Sequence, residues 1–340
     1  VDSRLSIAVD AHNLLRDRRG IGVYLRALLA RYVVREDLAL TLLVRDLLPI
    51  RVVTAIASEI GSGNFAIARS VPRKASVVWH PWNGTFFAER KVPSAVTMHD
   101  VTPFAYPAAD AWKRKREQAP FLRSTTAARI LTDSQFSLEE ITKHLGVERE
   151  RLTVIPLAAD ARYVPGDAKF LPEALLDRPY ILTVGANDPR KNLETLAAAH
   201  AAAFPSGEIA LACVTSGAPP GCIEIRDAGF DMLRDLYRGA LAYAIPSRYE
   251  GFGIPPLEAM RCGTPVLASR ASSLPEVCGN AAYYVDAYDD VDAWRDALTN
   301  VVEDATLRWN LRQLGLARGQ EFSWNRTADE TLAALSSIAR

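Results

Sequence analysis

The sequence predicts an α/β chain built as two doubly wound, Rossmann-like domains facing one central cleft. Three observations carry this. The 340 residues, 49% of them hydrophobic, exceed the ~250–300 at which a single core stops growing. Short apolar runs alternate with stretches of helical spacing, the pattern of a parallel sheet covered on both faces. That rhythm breaks once, over residues 160–179 with Pro165, Gly166, Pro172 and Pro179. It then starts afresh, as a linker between two βαβ halves would make it. The expected domains are 1–162 and 163–322, with a terminal helix over 323–340.

In the first half, residues 1–10 read as a first strand, apolar over 5–9, without the basic and apolar regions of a signal peptide. A turn at Gly20-Ile21-Gly22 opens a helix over 23–32. Residues 38–44, ASVVWHP and SAVTMHD are strands, and ADAWKRKREQAPFLRSTTAA is a helix. RILTDS is a strand, SLEEITKHLG a helix and LTVIPLA a strand. In the second half YILTVG is a strand, NLETLAAAHAAAF a helix, EIALACVTS and CIEIRD strands, DMLRDLYRGA a helix and LAYAIPS a strand. IPPLEAMRCG begins a helix, because proline suits a first turn whose N–H groups lack partners anyway. TPVLAS, a helix from Asp289 and a last helix capped by Ser323 complete the chain.

Charge and cysteine usage exclude several function classes. Basic and acidic side chains number 40 each, so no bulk charge points to nucleic acid or to an acidic polymer. Cys213, Cys222, Cys262 and Cys278 form no C-x-x-C pair and have no histidine cluster beside them. That argues against a zinc site or a disulfide framework and fits the reduced thiols of a cytoplasmic protein. No apolar run reaches the ~18–20 residues of a membrane span. Residues 112–118, WKRKREQ, set four basic side chains beside a tryptophan. A solvated helix face and a peripheral contact with anionic lipid or a lipid-linked phosphate both stay open for them.

The chemistry is expected at strand ends. After LAYAIPS come Glu250, Gly251, Phe252, Gly253 and, inside the helix start, Glu258. The glycines let backbone approach a ligand, and a helix start offers N–H groups to an anion. Carboxylates beside a phosphate would repel it, so Glu250 and Glu258 face neutral hydroxyl groups instead. A helix start that merely favours acidic residues explains Glu258 but not Glu250 or the glycines. VGANDPRKNLETL repeats the logic with Arg190 and Lys191, which suit a diphosphate. RRGIGVY holds Gly22 but lacks the third glycine of a dinucleotide fingerprint, and a tight turn explains it equally well. VTMHDVTP puts His99 and Asp100 directly after a strand. VVWHPWNGTFF places Trp79, His80, Trp82, Asn83, Phe86 and Phe87 past another, where a carbohydrate contact and a hydrophobic lid are equal readings.

These residues resemble a known family. EGFGIPPLE is similar to the Glu, seven residues, Glu signature of retaining glycosyltransferases of family four. The likeness extends through RGIGVYLRALL, VTMHDVTPFAYP, LTDSQFSLEEI, VIPLAAD, PRKN, LYRGALAYAIPSRYEGFGIPPLEAMRCGTPVLAS, SSLPEVCGNAAYYV and FSW. The resemblance implies a GT-B fold in which the final helix crosses back, so that 323–340 join the acceptor-side domain 1–162 and 163–322 hold the nucleotide-sugar. It implies that Glu258 holds the ribose hydroxyls, and that Glu250 with the backbone of Gly251, Phe252 and Gly253 holds the donor sugar. Lys191 with Arg190 would neutralise the diphosphate, and Gly22 would bring the N-terminal loop near it. His99 would sit beside the reacting carbon, Glu276 near the cleft, and the loop after Ile225 would frame the base. No metal or cofactor is implied, since cationic side chains and helix ends serve instead. The chain departs from the family at Ala186, where an arginine is usual, and in the short stretch 216–231.

The implied reaction is transfer of a hexose, mannose favoured, from a GDP- or UDP-linked donor to a carbohydrate or lipid-linked sugar acceptor, with retention, in cell-surface polysaccharide or glycolipid assembly. Two carboxylates also invite a glycosidase reading, but phosphate-binding turns have no use there. A nucleotide-sugar 2-epimerase on the same fold would change the donor without an acceptor. A non-catalytic nucleotide-sugar-binding module would bind without turnover. An NAD dehydrogenase ranks last.

Overall fold

A computed structural model describes residues 4–18, 20–45, 49–87 and 91–340. The chain forms two compact units, 1–157 with 324–340 and 158–323. The first unit opens with β1 (Leu5–Asp10), α1 (Gly20–Tyr32), β2 (Leu38–Leu43), α2 (Pro49–Ile60), β3 (Phe65–Ala68), β4 (Val77–His80) and β5 (Ser94–Thr97). It continues with α3 (Thr102–Ala105), α4 (Ala111–Ser124), β6 (Arg129–Thr132), α5 (Gln135–Leu145) and β7 (Leu152–Val154). Its strands are parallel and, among the described residues, make a seven-stranded sheet in the order β3-β2-β1-β4-β5-β6-β7. The central strands are buried throughout, VVWH in β4 and SAVT in β5, because helices cover both faces of a parallel sheet.

The second unit holds β8 (Tyr180–Val184), α6 (Leu193–Ala203), β9 (Ala210–Val214), β10 (Ile223–Ile225), α7 (Phe230–Gly239), β11 (Ala242–Ile245) and α8 (Ile254–Cys262). Then follow β12 (Val266–Ser269), α9 (Leu274–Cys278), β13 (Ala282–Val285), α10 (Val291–Glu303) and α11 (Ala305–Gln320). Its parallel sheet runs β10-β9-β8-β11-β12-β13. Ile181, Leu196, Leu211, Leu267, Trp294 and Leu298 build the core between sheet and helices. In both sheets the order reverses beside the unit's first strand, which is where doubly wound folds place ligands, beyond the strands' carboxyl ends.

The last helix, α12 (Trp324–Ser336), returns to the first unit. Its Ala328 carbonyl accepts a hydrogen bond from the Tyr32 hydroxyl at 2.7 Å, and Leu335 is fully buried. Three expectations need correction. Residues 158–162 belong with the second unit, so the boundary falls before the proline-rich stretch and not at 162. That stretch packs into unit 2: Lys169 and Phe170 donate their backbone N–H groups to the buried Asp235 at 2.9 and 3.1 Å. Gly20-Ile21-Gly22 is the first turn of α1, not a turn before it. Residues 1–3 of the expected first strand, and Arg19 of RRGIGVY, lie outside the described residues.

Candidate active site

In unit 2 two turns meet at adjacent strand ends. After β8 the chain turns through Asp188, Pro189, Arg190 and Lys191 into α6, with Asn192 in the left-handed region at φ 54°, a conformation asparagine tolerates. The Asn192 amide donates to the Tyr288 carbonyl at 2.8 Å, which fixes the turn. After β11 comes the loop from Ser247 to Gly253. The turns are stitched together: Arg248 donates its backbone N–H to the Arg190 carbonyl at 2.8 Å and its guanidinium to the Pro189 carbonyl at 2.6 Å.

The side chains meet too. Lys191 Nζ donates to Glu250 Oε1 at 2.6 Å, both groups largely buried. Glu250 donates its backbone N–H to the Ser272 hydroxyl at 2.9 Å. The Ser273 hydroxyl donates to the carbonyls of Glu250, at 2.9 Å, and Phe252, at 2.7 Å. Gly253 caps α8 at φ 108°, a value that favours glycine. Prolines 255 and 256 take two donors out of that first turn, so an anion there meets fewer N–H groups than a proline-free helix start offers. Phe252 is buried and packs edge-on against Phe322, ring centroids 5.8 Å apart.

Arg190 does not stand as an uncompensated cation. Its guanidinium forks onto Asp188, Nε to Oδ1 and Nη2 to Oδ2, both at 3.1 Å. Burial alone would raise the Asp188 carboxyl, but Arg190's hydrogen bonds hold it below the usual range. Both cations of this turn therefore have anionic neighbours.

Glu258 lies one turn along α8, half-buried, and accepts a hydrogen bond from the Tyr237 hydroxyl of α7 at 2.9 Å and another from Tyr163. Burial pushes its pKa up to about 7, although both tyrosines favour the charged form. Ile225, at the end of β10, is buried, with its carbonyl accepting from Thr215 N at 3.1 Å. Its side chain therefore packs inward, and the loop after it is the part that could face a base. Glu276 is exposed on α9, and its carbonyl accepts from Arg318 at 2.7 Å.

In unit 1 polar side chains line the carboxyl ends of β1, β4, β5 and β6. His99 Nδ1 lies 2.7 Å from Asp133 Oδ2, its Nε2 3.2 Å from the Pro81 carbonyl oxygen, and its backbone N–H donates to Asn83 Oδ1 at 2.6 Å. Both ring nitrogens thus face acceptors, the setting of an imidazolium. Burial opposes that charge, but the Asp133 carboxylate outweighs it and His99 titrates above its ordinary range. Asp100 accepts the Thr102 N–H at 2.9 Å where α3 begins. Asp10, fully buried, has His12 Nδ1 at 2.6 Å and His80 Nδ1 at 3.3 Å.

Three acceptor-side candidates need correction. Trp79 is fully buried, with its indole N–H donating to Thr97 at 2.9 Å. His80 is equally buried against Asp10, and Trp82 is buried with its N–H on the Asp10 carbonyl at 2.7 Å. Trp79 and His80 belong to the central strand β4 and Trp82 follows it, so these rings are buried and present no face to a sugar. Gly22 lies inside α1, where an added Cβ would overlap the Asp17 carbonyl, so its close approach is to the chain's own backbone. The residues missed by sequence reading are Asp133, Asp188, Tyr163, Tyr237, Ser272 and Ser273. Only Asp188 and Ser273 carried a local signal, being polar residues that precede helical turns.

Residues 228–317 match the family described as glycosyl transferases group 1, and residues 64–163 match glycosyltransferase family 4. The chain is 32% identical over 274 residues to O-antigen chain mannosyltransferase B of Escherichia coli, covering 73% of this chain and 72% of that one. It is 30% identical over 304 residues to the MMP alpha-(1->4)-mannosyltransferase of Mycolicibacterium hassiacum, covering 83% and 69%. Among solved structures, Anabaena HepE in complex with UDP-glucose aligns with a TM-score of 0.72 at 14% identity, over 98% of this chain and 99% of that one. Sucrose-phosphate synthase from Thermosynechococcus elongatus aligns with a TM-score of 0.71 at 19% identity, over 98% and 99%. The two parallel-sheet units are those of the GT-B fold, and the chain belongs to glycosyltransferase family 4.

Proposed function

We propose that this glycosyltransferase moves a hexose, mannose before other sugars, from a nucleotide-sugar to an acceptor hydroxyl with retention and without a metal, in the assembly of cell-surface polysaccharide or glycolipid. The observation that carries this is the Lys191–Glu250 contact at the end of β11, with Glu258 one turn beyond. Lys191 lies where a departing diphosphate needs positive charge, and such preorganised charge is a large part of catalysis. Arg190 joins it by leaving Asp188, which supplies the charge absent at Ala186. Glu250, whose Oε1 is held by Lys191, has no nucleophilic part in this reading. It accepts hydrogen bonds from the sugar hydroxyls instead, while Glu258 accepts those of the ribose.

The acceptor then attacks from the face that the diphosphate leaves, and a leaving-group oxygen takes the acceptor proton. The chain's own contribution is orientation and charge. The names of the mannosyltransferase relatives favour mannose, and the UDP-glucose complex of HepE keeps a UDP-linked donor in play. The test has two stages. A thermal-shift screen of GDP, UDP and their sugars selects the base, since ligand at ~100 times its Kd adds ~2.7 kcal/mol. NMR of the product, with and without EDTA, then reads the anomeric configuration. An inverted product, loss of transfer in EDTA, or a covalent sugar trapped on Glu250 would overturn the mechanism.

We further propose that α4 rests on anionic lipid at the inner face of a membrane. No helix of the described residues is long and apolar enough to cross one. Trp112 is 69% exposed, with Arg116 over its ring at 4.9 Å and further basic residues on the same helix, which suits an interfacial contact. Vesicles with phosphatidylserine should cosediment the chain, neutral vesicles should not, and Trp112→Ala should weaken the difference.

A further inference from the structure

At the carboxyl edge of unit 1's sheet, β2 and β3 end beside a cavity lined by none of the residues given a part in the transfer above. β2 and β3 are parallel neighbours with Leu43 opposite Ala68, and Val44 donates its N–H to the Ala68 carbonyl at 2.9 Å. The residues that follow, Arg45 and Arg69, therefore leave the sheet side by side. With Val44, Ser70, Phe86 and Phe87 they line a cavity of about 370 Å³. Arg45 is held in place: its Nη2 donates to the Phe86 carbonyl at 2.9 Å, and its guanidinium lies 5.6 Å from the Phe87 ring centre.

Neither arginine has a carboxylate partner among the described residues. Two arginines and a serine lining one concavity, the arginines without a carboxylate partner among the described residues, suit an anion with several acceptor oxygens, and guanidinium forks match phosphate geometry. The two phenylalanines give the same cavity an apolar wall for whatever the anion is attached to. Phe86 also packs on His12, beyond the end of β1, ring centroids 4.6 Å apart.

We propose that Arg45, Arg69 and Ser70 form a subsite for a phosphoryl group carried by the acceptor, with Phe86 and Phe87 against the attached moiety. The acceptor is thus a phosphorylated sugar or a lipid diphosphate-linked one. The word acceptor rests on the transferase reading above. Phosphoryl binding is read without turnover, so the two fail separately: a chain that transfers no sugar can still bind the probes, and a working transferase can ignore them.

The experiment uses the full chain saturated with the nucleoside diphosphate that stabilises it most, so that the donor's diphosphate site is filled. Calorimetric titrations then use glucose 6-phosphate, farnesyl diphosphate in detergent, and glucose as the neutral control. Binding of either anionic probe but not glucose, weakening as salt rises, is the expected result. Glucose 6-phosphate binding points to a soluble phosphorylated acceptor, and binding of farnesyl diphosphate alone points to a lipid diphosphate. The double substitution Arg45→Ala with Arg69→Ala should weaken binding about tenfold or more. Arg45→Lys with Arg69→Lys, which keeps charge but loses the fork, should retain part of it. Failure of both anionic probes to bind, or equal binding by the double alanine variant, would overturn the proposal.

Discussion

Glu258 couples the proposed donor site to pH. Its carboxyl titrates near 7 because burial raises it, against the two tyrosine hydroxyls that favour the charged form. Ribose hydroxyls donate more strongly to the ionised carboxylate than to the protonated acid. Donor affinity should therefore rise as pH climbs through about 7, and Glu258→Gln should be weaker and flat with pH. The linkage to stability has the opposite sign. Between the ordinary carboxyl value of 4.5 and about 7 the folded chain holds a proton that the unfolded chain has lost, so this group's contribution declines as pH rises across that window. Tyr237→Phe removes a hydrogen bond to the charged form and should move the acidic limb of the donor KM profile upward, which a variant with merely looser packing would not do. Lys191→Ala should lower kcat by about 10²–10³, the range for removal of one preorganised charge-stabilising group, and single-turnover kinetics would read it. Glu250, Glu258 and Lys191 were legible in the sequence because glycine, proline and strand ends mark loops where ligands bind. Asp133, Tyr163 and Tyr237 were not. Each is a buried polar group whose partner packing selects, and Tyr237 meets Glu258 across 21 positions of chain.

At the scale of elements, most strands and helices follow from apolar runs bounded by turn residues. α2, β3, α9, β13 and α11 do not. PIRVVTAIASEI in α2 is apolar on so many positions that its run alone fits a strand or a helix, and four- and five-residue elements such as β3 and α9 are too short to show a period. ATLRWNLRQLGLARGQ in α11 has glycines at positions 315 and 319, which count against a helix on propensity. In the fold Gly315 lies against Met260 and Gly319 against Arg261, so helix packing outweighs propensity. The same logic reassigns Gly22. Its place in the first turn of α1 lets the Arg26 guanidinium reach the Asp17 carbonyl at 2.7 Å and Glu59 at 2.7 Å. Gly22→Ala should cost about 1–3 kcal/mol, the range for overpacking, seen as a lower urea midpoint at unchanged m-value. An unchanged midpoint would mean that this turn relaxes freely.

Across the whole molecule, the division into two doubly wound units was legible because the alternation of strand and helix starts twice. The exact boundary was not, because proline and glycine mark a change of direction whether or not the chain changes unit. α12 shows what depends on the return to unit 1. It buries Trp324, Ala328, Leu332 and Leu335, and burying one large apolar side chain is worth about 1.5–3 kcal/mol. Removing 324–340 should therefore lower the melting transition of unit 1 by many degrees while that of unit 2 persists, a split that calorimetry would resolve. Unit 2 is one continuous stretch, whereas unit 1 is assembled from both ends of the sequence. During synthesis, then, the half made second can finish folding first. The half made first must wait, its Tyr24 and Tyr32 side uncovered, until α12 has emerged from the ribosome.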